Sequence, residues 1–127
     1  MKLLLDTHIF LWFANADKQL PTSSKNLIED TENECFISIA SLWEIAIKHS
    51  QGKLALEIPF SQFWELAISN QIQVLGIDFS HLITLLDLPY IHKDPFDRIM
   101  IAQAISEQLF VITQDAYFAE YPIQLKG

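Results

Sequence analysis

The sequence predicts a single α/β domain over residues 1–127, with a mainly parallel central sheet flanked by helices. Two observations carry that expectation. Short apolar runs of strand length alternate with longer segments at helical spacing, and the first and last clear strand runs end in an acid. Half of the residues are hydrophobic and only 3 are Gly and 5 Pro, enough apolar material for one ordinary core and no linker to divide it.

The elements follow in order. KLLLD, residues 2–6, is an aliphatic run ending in an acid, and IFLWFA follows after Thr7 and His8, which reads as a buried strand entering a helix. ECFISI, residues 34–39, is the second strand. In SLWEIAIKH behind it, Leu42, Ile45 and Ala46 fall at helical spacing, with Gly52 as the stop. From Pro59, FSQFWELAISN places Phe60, Phe63, Trp64 and Ala67 on one helix face, and QVLGI, residues 73–77, reads as a strand. SHLITLLDLP is a short helix ended by Pro89, and FDRIMIAQAISEQ a mostly apolar one with Phe96, Ile99, Met100 and Gln103. FVITQD, residues 110–115, is a β-branched run ending in an acid, and YPIQLK adds an edge strand.

Composition narrows the function. The lone Cys35 excludes an intramolecular disulfide and a zinc thiolate cluster, which suits a reducing cytosol. His8, His49, His81 and His92 show no metal-binding spacing. The start MKLLLDTHIFLWFANA imitates a signal peptide, but Asp6 and His8 cut its apolar run, and no segment approaches the ~18 apolar residues of a membrane span. The expectation is a soluble cytoplasmic protein without membrane contact. A net charge of −8 opposes a basic, phosphate-binding face. It is compatible with phosphate chemistry if the acids gather around a divalent cation.

Placement of the acids therefore decides more than their number. Ligands of open parallel sheets bind beyond the carboxyl ends of the strands, at a topological switch point. Asp6 and Asp115 end strands, and Glu44 and Asp97 fall in the first turns of helices that begin on the same side, so four carboxylates can converge. Each also has a local structural reading. Ser41-Leu42-Trp43-Glu44 fits a capping box. Asp94-Pro95-Phe96-Asp97 fits N-cap, N1 and N3 of a helix, with acids at the positive dipole end. Asp6 and Asp115 read locally as turn acids. Converging carboxylates raise one another's pKa unless a cation compensates, and Mg²⁺, with its preference for oxygen ligands and phosphate, points to phosphodiester hydrolysis.

LLLDTHIFLW, SIASLWEIAIKHSQGKL, DPFDRIMIAQA and VITQD, in this order and at this chain length, resemble PIN-domain ribonucleases, and among them VapC-like toxins of bacterial toxin–antitoxin pairs, over nearly the whole chain. The resemblance implies a single PIN-like domain, 1–127, and places the family's four acids on Asp6, Glu44, Asp97 and Asp115. It implies that they hold Mg²⁺ or Mn²⁺, which activates the water that attacks an RNA phosphate. Asp94 stands outside the four-acid pattern as a reserve ligand. Thr7 and Ser38 have two readings, as hydroxyls supporting the acids or as local turn or cap groups, and Lys48, Lys53, Lys93 and Arg98 two, as RNA contacts or as solvated surface charges. The resemblance further implies a homodimer and a VapB-like antitoxin whose carboxyl-terminal segment covers the site. Trp12, Phe13, Phe60, Phe63 and Trp64 have two readings, as core or as the lining of a partner groove. Other classes fit less well. A phosphatase or phospho-receiver lacks support because Asp6-Thr7-His8 has no second aspartate, and an idle binding module, like a PIN-fold RNA-processing nuclease without toxin role, remains the alternative.

Overall fold

The protein is described over residues 1–127 by a computed structural model. Strands β1 (Lys2–Leu5), β2 (Glu34–Ser38), β3 (Ile72–Leu75), β4 (Phe110–Ile112) and β5 (Gln124–Lys126) form one sheet in the order β3-β2-β1-β4-β5. Every neighbouring pair is parallel, with Leu4 opposite Phe36 on one side and Val111 on the other. The chain therefore winds outward from β1 in one direction and then resumes on its other side at β4. That reversal puts the switch point between the carboxyl ends of β1 and β4. The expected edge strand in the tail is β5.

Helices α1 (Thr7–Ala14), α2 (Thr22–Glu29), α3 (Ile39–Ser50), α4 (Gln62–Ser69), α5 (Phe79–Leu86) and α6 (Pro95–Glu107) cover the sheet. Alternation along β1 divides the core: Leu3 and Leu5 join Phe10, Ile37, Ile45 and Phe63, while Leu4 joins Met100, Ile101, Val111 and Phe118 on the opposite face. A fully buried leucine of this kind contributes about 1.5–3 kcal/mol. From Arg98 to Ala104 every residue of α6 is buried, as a helix apolar on most of its circumference requires. No helix is long and apolar enough to cross a membrane.

Two expectations need correction. Helix α3 begins at Ile39, not at the proposed Ser41 box: Ser38 is its N-cap and accepts from Ala40 N at 3.0 Å, so Glu44 lies in the second turn and does not cap. The box fails because β2 runs directly into the helix. In α4, burial falls on Phe63 and Ala67, whereas Trp64 is 54% exposed. Phe63 is core, and Trp12 and Phe13 pack against the core from its margin.

Gln103 ties together the elements that carry the acids. Fully buried, it accepts from Ser38 Oγ at 2.6 Å and donates through Nε2 to Gly76 O at 3.0 Å. Gln103→Leu strands a buried hydroxyl at the α3 start, and urea unfolding is expected to show a loss of about 1–3 kcal/mol at unchanged m-value. A loss below about 0.5 kcal/mol would mean that water replaces the amide.

Candidate active site

The switch point collects the acids. Asp6 leaves β1 in extended conformation, donates its N–H to Ile112 O at 3.0 Å, and serves as N-cap of α1. Its Oδ1 accepts from Thr7 N at 2.6 Å and its Oδ2 from Thr113 Oγ1 at 2.7 Å. Thr113 Oγ1 also accepts from Asp115 N at 3.0 Å, so one hydroxyl spans the ends of β1 and β4. Asp115 in turn caps the 3₁₀ turn Ala116–Glu120, accepting from Tyr117 N. From α3, Glu44 is held at both oxygens: Oε1 accepts from Thr7 Oγ1 at 2.9 Å and Oε2 from Lys48 Nζ at 2.6 Å. Thr7 thus links Asp6 to Glu44, while Thr113 links Asp6 to Asp115.

Asp94 and Asp97 divide at the head of α6. Asp94 Oδ1 accepts from Phe96 N at 2.9 Å and Asp97 N at 3.0 Å, with Pro95 at N1, the N-cap arrangement that its sequence suggests. Asp97 makes no cap. Its Oδ2 instead meets His92 Nε2 at 3.1 Å. Asparagine caps about as well as aspartate, so Asp94→Asn is expected to melt near the wild type, whereas Asp94→Ala is expected to lose ~0.5–2 kcal/mol in the same unfolding assay. Equal losses in both would remove the cap as the cause.

The electrostatics show that these charges act on one another. Burial pushes the Asp97 carboxyl up to about 7, against the opposing His92 contact, and Asp94, Asp6 and Asp115 push it further in the same direction. Burial also raises Asp6; its bonds from Thr113 and Thr7 and the nearby His8 oppose this, and Asp115 adds to it. Lys48 is raised by its bond to Glu44, with Asp94 and Asp97 contributing. Acids 5% exposed at Asp6 and 4% at Glu44, with a single engaged lysine, form a set of hard oxygen donors short of positive charge. That donor set fits a divalent cation. No three of the four acids close within 4.8 Å of one another, a spread suited to an ion that keeps several waters.

The one cluster that does close that far, Asp78, His81 and Glu107, is a helix clip. His81 Nδ1 accepts from Asp78 N at 2.9 Å, completing the capping box of α5, so Nε2 carries the proton shared with Glu107 at 3.1 Å. Neither ring nitrogen has a lone pair left for a metal. The largest surface cavity, about 490 Å³ beside Ala104, Gln108 and Ile123, is lined by none of the site acids.

The remaining predicted residues separate. Thr7 lies within the acid network, but Ser38 bonds only Ala40 N and Gln103. Lys48 is paired with Glu44, while Lys53 and Lys93 are exposed. Arg98 is a correction: 7% exposed, it donates to Pro89 O and Tyr121 Oη and lies 4.3 Å from the Tyr90 ring centroid, so it is unavailable to phosphate. Sequence reasoning missed His92, Thr113 and Tyr121. Only Thr113, two residues before Asp115 in a strand-end TQD, carried a local signal.

Acids from the ends of two strands and the first two turns of two helices, gathered at the switch point of a parallel sheet, define an α/β domain with a carboxylate centre. The family model described as PIN domain matches residues 3–124, and the chain belongs to that family. Ribonuclease VapC22 of Mycobacterium tuberculosis is 28% identical over 114 residues, covering 89% of this chain and 86% of that protein. Among solved structures, VapBC2 from Rickettsia felis bound to a promoter DNA fragment matches with a TM-score of 0.74 at 18% identity, over 99% of this chain and 98% of that one. FitAcB from Neisseria gonorrhoeae matches with a TM-score of 0.71 at 15% identity, over 98% and 96%.

Proposed function

We propose that the protein is an endoribonuclease dependent on Mg²⁺ or Mn²⁺ and the toxin of a toxin–antitoxin pair, acting in the cytoplasm. The observation that carries this reading is the set of carboxylates Asp6, Glu44, Asp97 and Asp115 at the switch point of a PIN domain, with Asp6 tied to Glu44 through Thr7 and to Asp115 through Thr113. The similarity to Ribonuclease VapC22 supports RNA as substrate, and the similarity to VapBC complexes supports a small VapB-like antitoxin as partner. A homodimer is part of the same reading.

In this account the four acids hold the cation, with Asp94 capping α6 in reserve. The cation supplies water activation and charge stabilisation at the phosphate. Thr7 and Thr113 hold the carboxylates of Asp6 and Glu44 in place from within the chain, so little reorganisation is needed when the ion enters. Lys48 neutralises one oxygen of Glu44 and limits the repulsion among the acids. Exposed Lys53 and Lys93 are the cations available to RNA phosphates. Purified protein is expected to cut RNA with Mg²⁺ or Mn²⁺ and to stop with chelator. Cleavage that survives chelation would refute the reading, and cleavage without growth arrest on expression would favour an RNA-processing nuclease.

A further inference from the structure

His92 lies five residues before Asp97, outside the four-acid pattern, yet its ring is held on one face, at one edge and at both nitrogens. Tyr117 stacks on one face at 4.8 Å between centroids and an angle of 14°, and Tyr121 meets it edge-on at 5.4 Å. Nδ1 lies 2.7 Å from Tyr121 Oη, and Nε2 lies 3.1 Å from Asp97 Oδ2. A partner at each ring nitrogen fixes how the imidazole is turned, which packing alone would not do.

The surrounding donors also select the proton's place. Tyr121 Oη accepts from Arg98 NH1 at 3.2 Å and from the His92 backbone N–H at 3.3 Å. With both incoming bonds donated to the oxygen, the hydroxyl's own proton is free to point at Nδ1. Nδ1 is then the acceptor of the neutral ring, and Nε2 bears the hydrogen that is donated to Asp97. The opposite tautomer would set an Nε2 lone pair against a carboxylate oxygen. Oδ1 of Asp97 makes no hydrogen bond within the chain, so one oxygen is anchored and the other is left open.

We propose that His92 is the positioning residue of the metal centre, its Nε2–H fixing Asp97 through Oδ2 while the Arg98–Tyr121 pair fixes the His92 tautomer. The inference rests on the metal-site reading above and adds the device that orients one of its ligands. It also gives the buried Arg98 a task, far from RNA but one step removed from Asp97. Residues that orient a ligand from behind typically alter metal affinity by about 10–100-fold when removed.

Three replacements separate the donor from the ring. His92→Phe keeps the stacking surface and loses the donor, His92→Asn reaches only toward Tyr121, and His92→Gln can still present an N–H near the Nε2 position. Calorimetric titration of the full chain with Mn²⁺ is expected to show affinity weakened about ten-fold or more in His92→Phe and His92→Asn, but by no more than about three-fold in His92→Gln. Tyr121→Phe is expected to weaken binding, and adding it to His92→Phe to weaken it no further, as members of one relay should. Melting of each apo variant reports any loss of fold separately. Wild-type affinity in His92→Phe, or equal weakening in His92→Phe and His92→Gln, would overturn the proposal. If Asp6→Asn also titrates like the wild type, the metal-site reading falls with it; if Asp6→Asn alone weakens binding, only the role of His92 is lost.

Discussion

Asp6→Asn, Glu44→Gln and Asp97→Asn are each expected to reduce RNA cleavage by about two to four orders of magnitude while remaining folded. Each exchange removes a ligand charge with little change of shape. A bound cation supplies several kcal/mol of transition-state stabilisation, and each 1.36 kcal/mol lost is about tenfold in rate. Asp94→Asn should retain cleavage, because its carboxylate is occupied with the amides of Phe96 and Asp97. Rates measured at saturating Mn²⁺ separate a weakened site from a lost one. An inactive Asp94→Asn beside an active Asp97→Asn would show that the third acid is the other aspartate.

The second large effect is on stability without metal. Asp97 in the folded chain titrates near 7, above an ordinary aspartate, chiefly because it is buried. The folded state therefore holds the proton more tightly than the unfolded state between about pH 4 and pH 7. Its contribution is fully present below that window and is lost as pH rises through 7. Asp6 is shifted in the same direction and adds to the trend. The apo protein is expected to melt several degrees lower at pH 8 than at pH 5.5 on this account, and Asp97→Asn to melt above the wild type at pH 8 but not at pH 5.5. Mg²⁺ should raise the wild-type melting temperature most at pH 8, where the carboxylates are charged. A wild type whose melting temperature runs parallel to that of Asp97→Asn from pH 5.5 to 8, with no loss of its own, would show Asp97 already ionised at the lower pH.

What the sequence disclosed follows from which interactions are local. The strand-end acids Asp6 and Asp115 and the α6 cap could be read because strand runs, helix periods and N-caps are short-range patterns. Helix α2, TSSKNLIE, escaped because it is mostly polar and buries only Ser24 and Ile28, leaving no apolar stripe to read. The α3 start was misplaced by three residues because Ser38 and Ser41 both suit a cap, and only the end of β2 decides between them. The partners that shape the site are remote: Thr113 reaches Asp6 across 107 positions and Tyr121 reaches His92 across 29. Burial of Arg98 escaped for the same reason, since Pro89 and Tyr121 meet it only in the folded chain.

Counting free Mn²⁺ by electron paramagnetic resonance, with the full chain at pH 8, tests most directly whether the switch-point acids hold the cation. Wild type and Asp78→Asn are expected to bind alike, and Asp6→Asn, Glu44→Gln, Asp97→Asn and Asp115→Asn each to bind more weakly. Loss of binding in Asp78→Asn with all four others unchanged would put the ion on the α5–α6 clip and contradict the account.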